Sequence, residues 1–266
     1  MLADMHVHTE FSGDCSAKIE TMVKKAISLD IPMITITDHI DWDFPEPEFV
    51  FDIDMDAYQT SIMELREQYK KEIDIRMGVE LGMQPHLVSR YQEYLSQYPF
   101  DFVIASVHLL QNRDPYYEHA FEGLTDMQAY RLYFEAYLEN VKCFHDFDAL
   151  GHLDYVVRYG REKERSYCPA DYKDVLDEIL RLLVDHDKAL EINAAGFRKN
   201  LGFPNPHGDI IRRFKELGGD KVTIGCDAHK PTHIGWGLKQ TEDLLLDCGF
   251  QYYTQYKLRK PEFVKI

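Results

Sequence analysis

The sequence contains no long apolar segment and no cysteine pattern typical of a disulfide framework. Nowhere do about 18 apolar residues follow one another, as a membrane-spanning helix would need, and the N-terminus lacks the basic and apolar regions of a secretory signal. The 5 cysteines are scattered and include no Cys-x-x-Cys pair. We therefore expect reduced thiols and a cytoplasmic protein.

Basic residues are scarce relative to acidic ones. The 266 residues include 30 lysines and arginines against 46 aspartates and glutamates, for a formal charge of −16. Such a surface repels phosphate backbones and anionic lipids, so we expect neither a nucleic-acid nor a membrane partner. No linker, repeat or composition break divides the chain, and we predict a single domain over residues 1–266. Nothing in the sequence indicates an oligomeric state.

What the sequence does contain is an alternation of short β-like runs and longer helical patterns. Helical periodicity follows most of the runs, and Ser16 and Thr125 are the predicted N-caps of two helices. Repeated β/α units predict a parallel barrel or an open doubly wound sheet. We favour the barrel, because ligand-type residues at many strand ends must converge. The predicted strands cover 2–6, 31–37, 73–79, 102–107, 147–150, 189–192 and 221–225, followed by an aromatic strand over 251–256.

The first functional signal is His6-Val7-His8, at the end of the first predicted strand. Side chains alternate between the two faces of a strand, so both imidazoles point the same way. Two imidazoles aimed into one space can hold a transition metal, and Asp14 could add an oxygen ligand. By itself the pair is equally compatible with a metal site and with two packed histidines. The residues at the ends of the other strands distinguish the two.

The ends of the other predicted strands carry the same types of side chain. In a barrel these ends form the active-site face. Burial of so many ionisable groups without a metal would be very costly. The residues at strand ends are His6, His8, Asp38, His39, Glu80, His108, His152, Asn193, Asp227 and His229.

The number of candidate ligands indicates more than one ion. A single zinc-like ion uses about four ligands, so two or three bridged divalent ions are expected. Mixed imidazole and carboxylate ligands suit Zn, Mn or Fe, and the ligand types do not choose among them. The candidate ligands are His6, His8, Asp14, His39, Glu80, His108, His152, Asp227 and His229.

Seven motifs, in the order in which they occur, resemble the polymerase-and-histidinol-phosphatase (PHP) superfamily. They look most like its histidinol-phosphate phosphatases, and they span residue 4 to about residue 240. The resemblance implies a distorted (β/α)7 TIM-like barrel, the PHP fold, with a trinuclear metal centre. It also implies metal-dependent hydrolysis of L-histidinol phosphate to L-histidinol and phosphate, a step of histidine biosynthesis. The motifs are HVHTEFSGD, ITDH, GVELG, ASVH, GHLDYVVRYG, EINAAGFRK and IGCDAHKPTHIG.

Carried over motif by motif, the resemblance implies a role for each candidate ligand. Asp14 takes a place that some members fill with histidine. The resemblance therefore leaves open whether the third ion site is filled equally well and which metal fills it. The implied ligands are a first pair His6 and His8, then Asp14, His39, a bridging Glu80, His108 and His152 on a third ion, and a final Asp227-x-His229 pair.

The expected mechanism is in-line attack on phosphorus by a metal-bound hydroxide, with the ions neutralising charge on the phosphoryl oxygens. Asp227 or His229, or a metal-bound water nearby, would handle the proton of the leaving alkoxide. Arg158 and Arg198 follow predicted strands five and six, where they could grip phosphate oxygens. The alternative for each is an ordinary surface arginine. Lys230 is a weaker candidate for a phosphate contact.

Several other interpretations remain open. The substrate could be another small phosphomonoester or a nucleotide. An amidohydrolase barrel also begins with His-x-His, but this chain has no lysine at the end of predicted strand four to be carboxylated. The run Asp52–Asp56 mimics the Asp-x-Asp nucleophile of haloacid-dehalogenase phosphatases, a family that would not explain the histidines. A non-catalytic metal-binding module would be inactive with a full metal complement.

Overall fold

The structure of the protein is a computed structural model, described here for residues 2–162 and 167–266. Parallel strands form the wall of a barrel in the order in which they occur along the chain. The wall consists of β1 Asp4–Val7, β2 Met33–Ile36, β4 Asp74–Gly82, β5 Phe102–Ser106, β6 Ala149–Leu150, β7 Ala189–Asn193 and β8 Val222–Gly225, with the short β3 His39–Ile40 beside the end of β4.

The backbone just after β8 returns to β1 and nearly closes the barrel. Ala228 N donates a hydrogen bond to His6 O at 3.2 Å, and His8 N donates to Ala228 O at 3.0 Å. The predicted seven-stranded barrel is therefore confirmed. The strand boundaries differ from the predicted ones by one to three residues, so that Glu80 lies inside β4 and Asn193 inside β7, and not beyond their ends.

Helices cover the outside of the wall. Every residue of β1, β2 and β5 to β8 is buried, as expected when helices shield the outer face of a parallel sheet. No helix among the described residues is long and apolar enough to cross a membrane. The helices are α1 Ile19–Ser28, α2 Met55–Tyr69, α3 Val88–Gln97, α4 Asp126–Cys143, α5 Lys173–Asp185, the short α6 Ala195–Arg198, α7 Gly208–Glu216 and α8 Leu238–Asp247.

The two predicted caps have different outcomes. Thr125 caps α4 in a reciprocal capping box with Gln128, as expected. Ser16 does not cap α1, which begins at Ile19. The carboxylate of Glu10 instead accepts the Ile19 N–H at 2.6 Å, so a side chain from the preceding loop satisfies the first turn.

An antiparallel hairpin lies across the N-terminal end of the barrel. It consists of β9 Tyr252–Lys257 and β10 Lys260–Lys265. Tyr256 stacks on Phe102 of β5, with ring centroids 5.3 Å apart. We did not predict β10, because its sequence KPEFVK has no apolar run. The turn Leu258-Arg259 also lacks the usual Asn-Gly, although both residues have positive φ angles of 49° and 61°.

Candidate metal centre

All nine predicted metal ligands lie at one end of the barrel, around the carboxyl ends of its strands. His6 lies in β1 and His8 directly follows it, and both side chains are fully buried in the interior. Asp227 and His229 follow β8, and Asp14 lies in the loop after β1. The convergence follows from parallel strands, whose carboxyl ends all meet at one face.

Glu80 lies at the centre of this group. Its side chain is 1% exposed, and Ser106 Oγ donates to Oε1 at 2.6 Å. One carboxylate thus contacts five imidazoles from four segments of the chain, which is the position expected of a bridging ligand. The ring nitrogens are 2.9 Å (His6), 3.4 Å (His8) and 3.3 Å (His39) from Oε2, and 3.2 Å (His108) and 2.9 Å (His152) from Oε1.

Asp14, Asp227 and His229 form a second group on the solvent side. His229 Nε2 is 3.1 Å from Asp14 Oδ2, and its Nδ1 is 3.3 Å from Asp227 Oδ1. His8 connects the two groups, because its ring stacks on both His39 and His229 at centroid distances of 4.2 and 4.1 Å. Asp14 is the most exposed of these ligands, with 33% of its side chain accessible.

The donor set fits transition-metal ions. His8 Nε2 is buried and has no hydrogen-bond partner among the described residues, an arrangement that would be costly without a ligand. Imidazole nitrogens and carboxylate oxygens are the donors that Zn, Mn and Fe accept. Three sets of ligand atoms lie within 4.8 Å of one another: His8, His39 and His229; His6, His8 and Glu80; His39, Glu80 and His108.

The electrostatics of Glu80 and His8 are those of deprotonated ligands. Burial acts to raise the pKa of Glu80, but the charges of His6, His108 and His39 outweigh it and hold the pKa well below its ordinary value. Burial, reinforced by His229 and His39, lowers the pKa of His8 well below its ordinary value. A neutral imidazole offers the lone pair that a metal requires.

Two carboxylates that we did not predict orient the histidines. Asp41 Oδ1 contacts His108 Nδ1 at 2.6 Å, which leaves Nε2 of that ring directed at Glu80. Glu191 contacts His6 Nδ1 and accepts the His152 backbone N–H at 2.8 Å. Such partners fix the orientation of metal-binding histidines. In the sequence, a signal for this role is Glu191 itself, because it is a carboxylate within the otherwise apolar predicted strand 189–192.

Arg158 is more deeply enclosed than we expected for a phosphate contact. Its side chain is buried, and it donates to Asn205 Oδ1 at 2.8 Å, Asp227 Oδ2 at 2.9 Å and Asn193 Oδ1 at 2.9 Å. Three of the five guanidinium N–H groups are therefore used within the protein. The geometry makes Arg158 first of all a support for Asp227.

Arg198 and Lys230 differ in their access to the centre. Arg198 is only partly buried and donates to the backbone oxygen of Asp227 at 3.0 Å. It lines the cavity above the histidines, as does Lys199. Lys230 is exposed and is not among the residues that line that cavity.

The cavity has a volume of about 420 Å³ and opens at the carboxyl end of the barrel. Asp52–Asp56, the run that mimics a dehalogenase motif, is not part of its wall. Asp54 instead caps α2 by accepting the Ala57 N–H at 3.1 Å. The aromatic residues of the wall are Phe44, Phe49, Phe51, Tyr116, Tyr117, Tyr155 and Tyr159.

The barrel and its histidine-rich face define a class of protein. Residues 4–195 match the PHP domain family model, and the chain belongs to that family. The predicted resemblance is thereby confirmed.

Individual members of the family are similar to this chain over nearly their whole length. It is 32% identical to a probable histidinol-phosphatase of Clostridium acetobutylicum, over 94% of this chain and 95% of that one. It is 34% identical to a histidinol-phosphatase of Lactococcus lactis, over 93% of this chain and 91% of that one. A crystal structure of the Lactococcus lactis histidinol phosphate phosphatase, in complex with zinc, L-histidinol and phosphate, has a TM-score of 0.91 at 32% identity, covering 98% of this chain and 100% of that one.

Proposed function

We propose that this chain hydrolyses L-histidinol phosphate to L-histidinol and phosphate, a metal-dependent step of histidine biosynthesis. The observation that carries the proposal is Glu80, whose carboxylate contacts five imidazoles at the active-site end of the barrel. The full-length similarity to a histidinol phosphate phosphatase crystallised with zinc, L-histidinol and phosphate supports this substrate. A phosphomonoester hydrolase is the enzyme class that follows.

We propose that two or three divalent ions, of Zn, Mn or Fe, bind here. Glu80 would bridge ions, because its two oxygens contact different histidines. The overlap of the three ligand sets at His8, His39 and Glu80 supports more than one ion. The proposed ligands are His6, His8, Asp14, His39, Glu80, His108, His152, Asp227 and His229.

When bound, the ions would lower the pKa of water and neutralise charge on the phosphoryl group. The side chains of the site hold the groups that take part in this chemistry in position. Arg158 and Asn193 hold Asp227 Oδ2 at 2.9 and 3.4 Å, so this carboxylate cannot rotate freely. Arg198, which is partly exposed at the cavity wall, is the better placed of the two arginines to contact phosphate oxygens.

Asp227 and His229 are the proposed groups that handle the proton of the leaving alkoxide. They lie next to each other at the solvent side of the centre, 3.3 Å apart, where a leaving group could depart into the cavity. Turnover of an Asp227→Asn variant tests this role. We expect a loss of kcat at equal metal content, and wild-type turnover in a fully metallated variant would refute it.

We propose that the whole chain acts as one cytoplasmic domain on a small phosphate ester, without a nucleic-acid or membrane partner. The packing of the C-terminal hairpin on β5 supports the single domain. The charge of −16 supports a small substrate over a polymer.

Phosphate release from L-histidinol phosphate tests the function most directly. The assay should include a panel of other phosphomonoesters, nucleotides and diesters, before and after chelation, with elemental analysis of the protein. We expect the highest kcat/KM with L-histidinol phosphate and loss of activity on chelation. Comparable rates on unrelated esters with none on L-histidinol phosphate would overturn the assignment. A His152→Asn variant should lose activity, whereas His86→Asn, outside the cavity wall, should not.

A further inference from the structure

One carboxylate in the cavity wall takes no part in the metal centre. Asp14, Asp41, Glu80 and Asp227 each contact a histidine. Asp114 also lines the cavity, yet within residues 2–162 and 167–266 it has no ion-pair partner. A partly buried carboxylate without a cation has lost hydration that no other charge replaces.

The position of Asp114 is defined by its own loop. Its Oδ1 accepts the Tyr116 N–H at 2.8 Å, a short turn of the kind that aspartate forms with the backbone two residues ahead. This contact occupies one oxygen. Oδ2 makes no hydrogen bond or ion pair to a described residue and remains available to a ligand. Burial raises the pKa of Asp114 from its ordinary value, and the charge of His108, which is beyond ion-pair distance, offsets only part of that rise.

The charges of the cavity are divided along its rim. Asp114 follows β5, whereas Arg198 and Lys199 follow β7. Between them Tyr116 and Tyr159 contact each other edge to face, with centroids 6.0 Å apart. Tyrosine faces attract cations, and Lys199 Nζ already lies 6.0 Å from the centroid of the Tyr159 ring. The ring of Tyr116, two residues from Asp114, is therefore the one that suits a positively charged group of the substrate.

We propose that Asp114 binds the primary ammonium group of the substrate, while the phosphate lies at the histidines around Glu80. The inference rests on the proposed function and adds its specificity: the substrate class is a phosphomonoester that carries an amino group. Asp114 contacts no candidate metal ligand at ion-pair distance, so its part is recognition and not hydrolysis.

The test compares two substrates that differ only in the amino group: L-histidinol phosphate and 3-(imidazol-4-yl)propyl phosphate. For Asp114→Asn we expect kcat/KM to fall about 10- to 100-fold on L-histidinol phosphate, the range for loss of a charged hydrogen bond. The change should appear chiefly in KM. On the desamino ester kcat/KM should stay within about two-fold, and metal content should match the wild type. Glu118→Gln is the matched control, because this exposed carboxylate of the same segment does not line the cavity.

Equal losses on both esters would overturn the inference, because they would indicate a structural role or contact with the imidazole. No loss on either ester would also overturn it. If the wild type does not hydrolyse L-histidinol phosphate, the proposed function fails by itself. The same variants on 2-aminopropyl phosphate and propyl phosphate, which keep the spacing between amino group and phosphate, then decide the role of Asp114 separately.

Discussion

The two ends of the barrel bury ionisable side chains in different ways. At the N-terminal end, Asp101 accepts the Met77 N–H at 2.9 Å and pairs with Arg66. Asp148 there accepts the Val103 N–H at 2.8 Å and pairs with Arg259 of the hairpin turn at 2.5 Å. Each carboxylate thus has a backbone donor and a guanidinium.

At the carboxyl end, a single carboxylate, Glu80, contacts five imidazoles, and His8 Nε2 makes no hydrogen bond to a described residue. The carboxylates of this end contact mainly imidazoles. A guanidinium cannot bind a metal, whereas imidazole nitrogens and carboxylate oxygens are metal donors. The comparison teaches that the carboxylates of the N-terminal end are paired within the protein, whereas the carboxyl end brings together groups that could hold metal ions.

The largest effect should come from Glu80→Gln. Loss of the central carboxylate would remove the proposed bridging ligand, so we expect fewer bound ions per chain and a fall in kcat/KM of at least about 100-fold, the upper range for loss of an outer-sphere partner. Elemental analysis and phosphate release measure the two effects. Glu262→Gln, which removes a 2.9 Å contact with Arg76 at the other end, should change neither. Normal metal content in Glu80→Gln would contradict the central role.

Tyr253→Ala should affect the other end alone. Tyr253 is 1% exposed in the hairpin, and its hydroxyl accepts the Ala3 N–H at 3.2 Å. Removal of a buried aromatic ring costs about 3–5 kcal/mol, and we expect that loss in urea unfolding with kcat of the folded protein unchanged. Tyr252→Ala, at an exposed neighbouring position, is the control. Altered metal content in Tyr253→Ala would show that the two ends are coupled.

Glu191→Gln should weaken metal binding without removal of a ligand. The amide can still contact His6 but no longer carries the charge that orients the ring and raises its basicity. We expect metal affinity about 10- to 100-fold lower, measured by competition with a chelator. Glu216→Gln, on the exposed end of α7, should match the wild type. Unchanged affinity would assign Glu191 to the barrel structure alone.

The smallest effect concerns pH at the N-terminal end. The rings of His145 and His186 stack 3.6 Å apart, and burial, with His186 and Lys188 nearby, lowers the pKa of His145 below its ordinary 6.5. A base with a depressed pKa in the folded state loses stability as pH falls through 6.5 toward that lower value. We therefore expect the free energy of unfolding of the wild type to fall more between pH 7.5 and pH 5.5 than that of His145→Asn, with both proteins measured in the presence of a chelator. If urea unfolding gives the same stability difference between the two proteins at both pH values, this prediction is wrong.

Much of the candidate site was predictable because it depends on local patterns. A His-x-His at the end of a strand must direct both rings to one face, whatever surrounds it. Repeated β/α units then bring His108 and His152 to the same end as His6. Thr125 was predictable for the same reason, since its capping partner Gln128 is three residues away.

Features that depend on distant partners were not predictable in this way. α1 takes its cap from Glu10, nine residues before Ile19, and not from Ser16. β10 is a strand because it pairs with β9. Its own polar sequence does not predict that pairing. Asp41 lies after the end of predicted strand two, and only the path of the loop places it against His108.

The sequence by itself determined the order of the strands and the kinds of ligand at their ends, because both follow from the periodicity of nearby residues. Only the tertiary structure decided that Glu80 is central and that Lys230 lies outside the cavity wall. It also directed Arg158 to Asn205 and Asp227, 47 and 69 residues away. Such choices depend on strand register and loop path around the whole barrel, which no local pattern encodes.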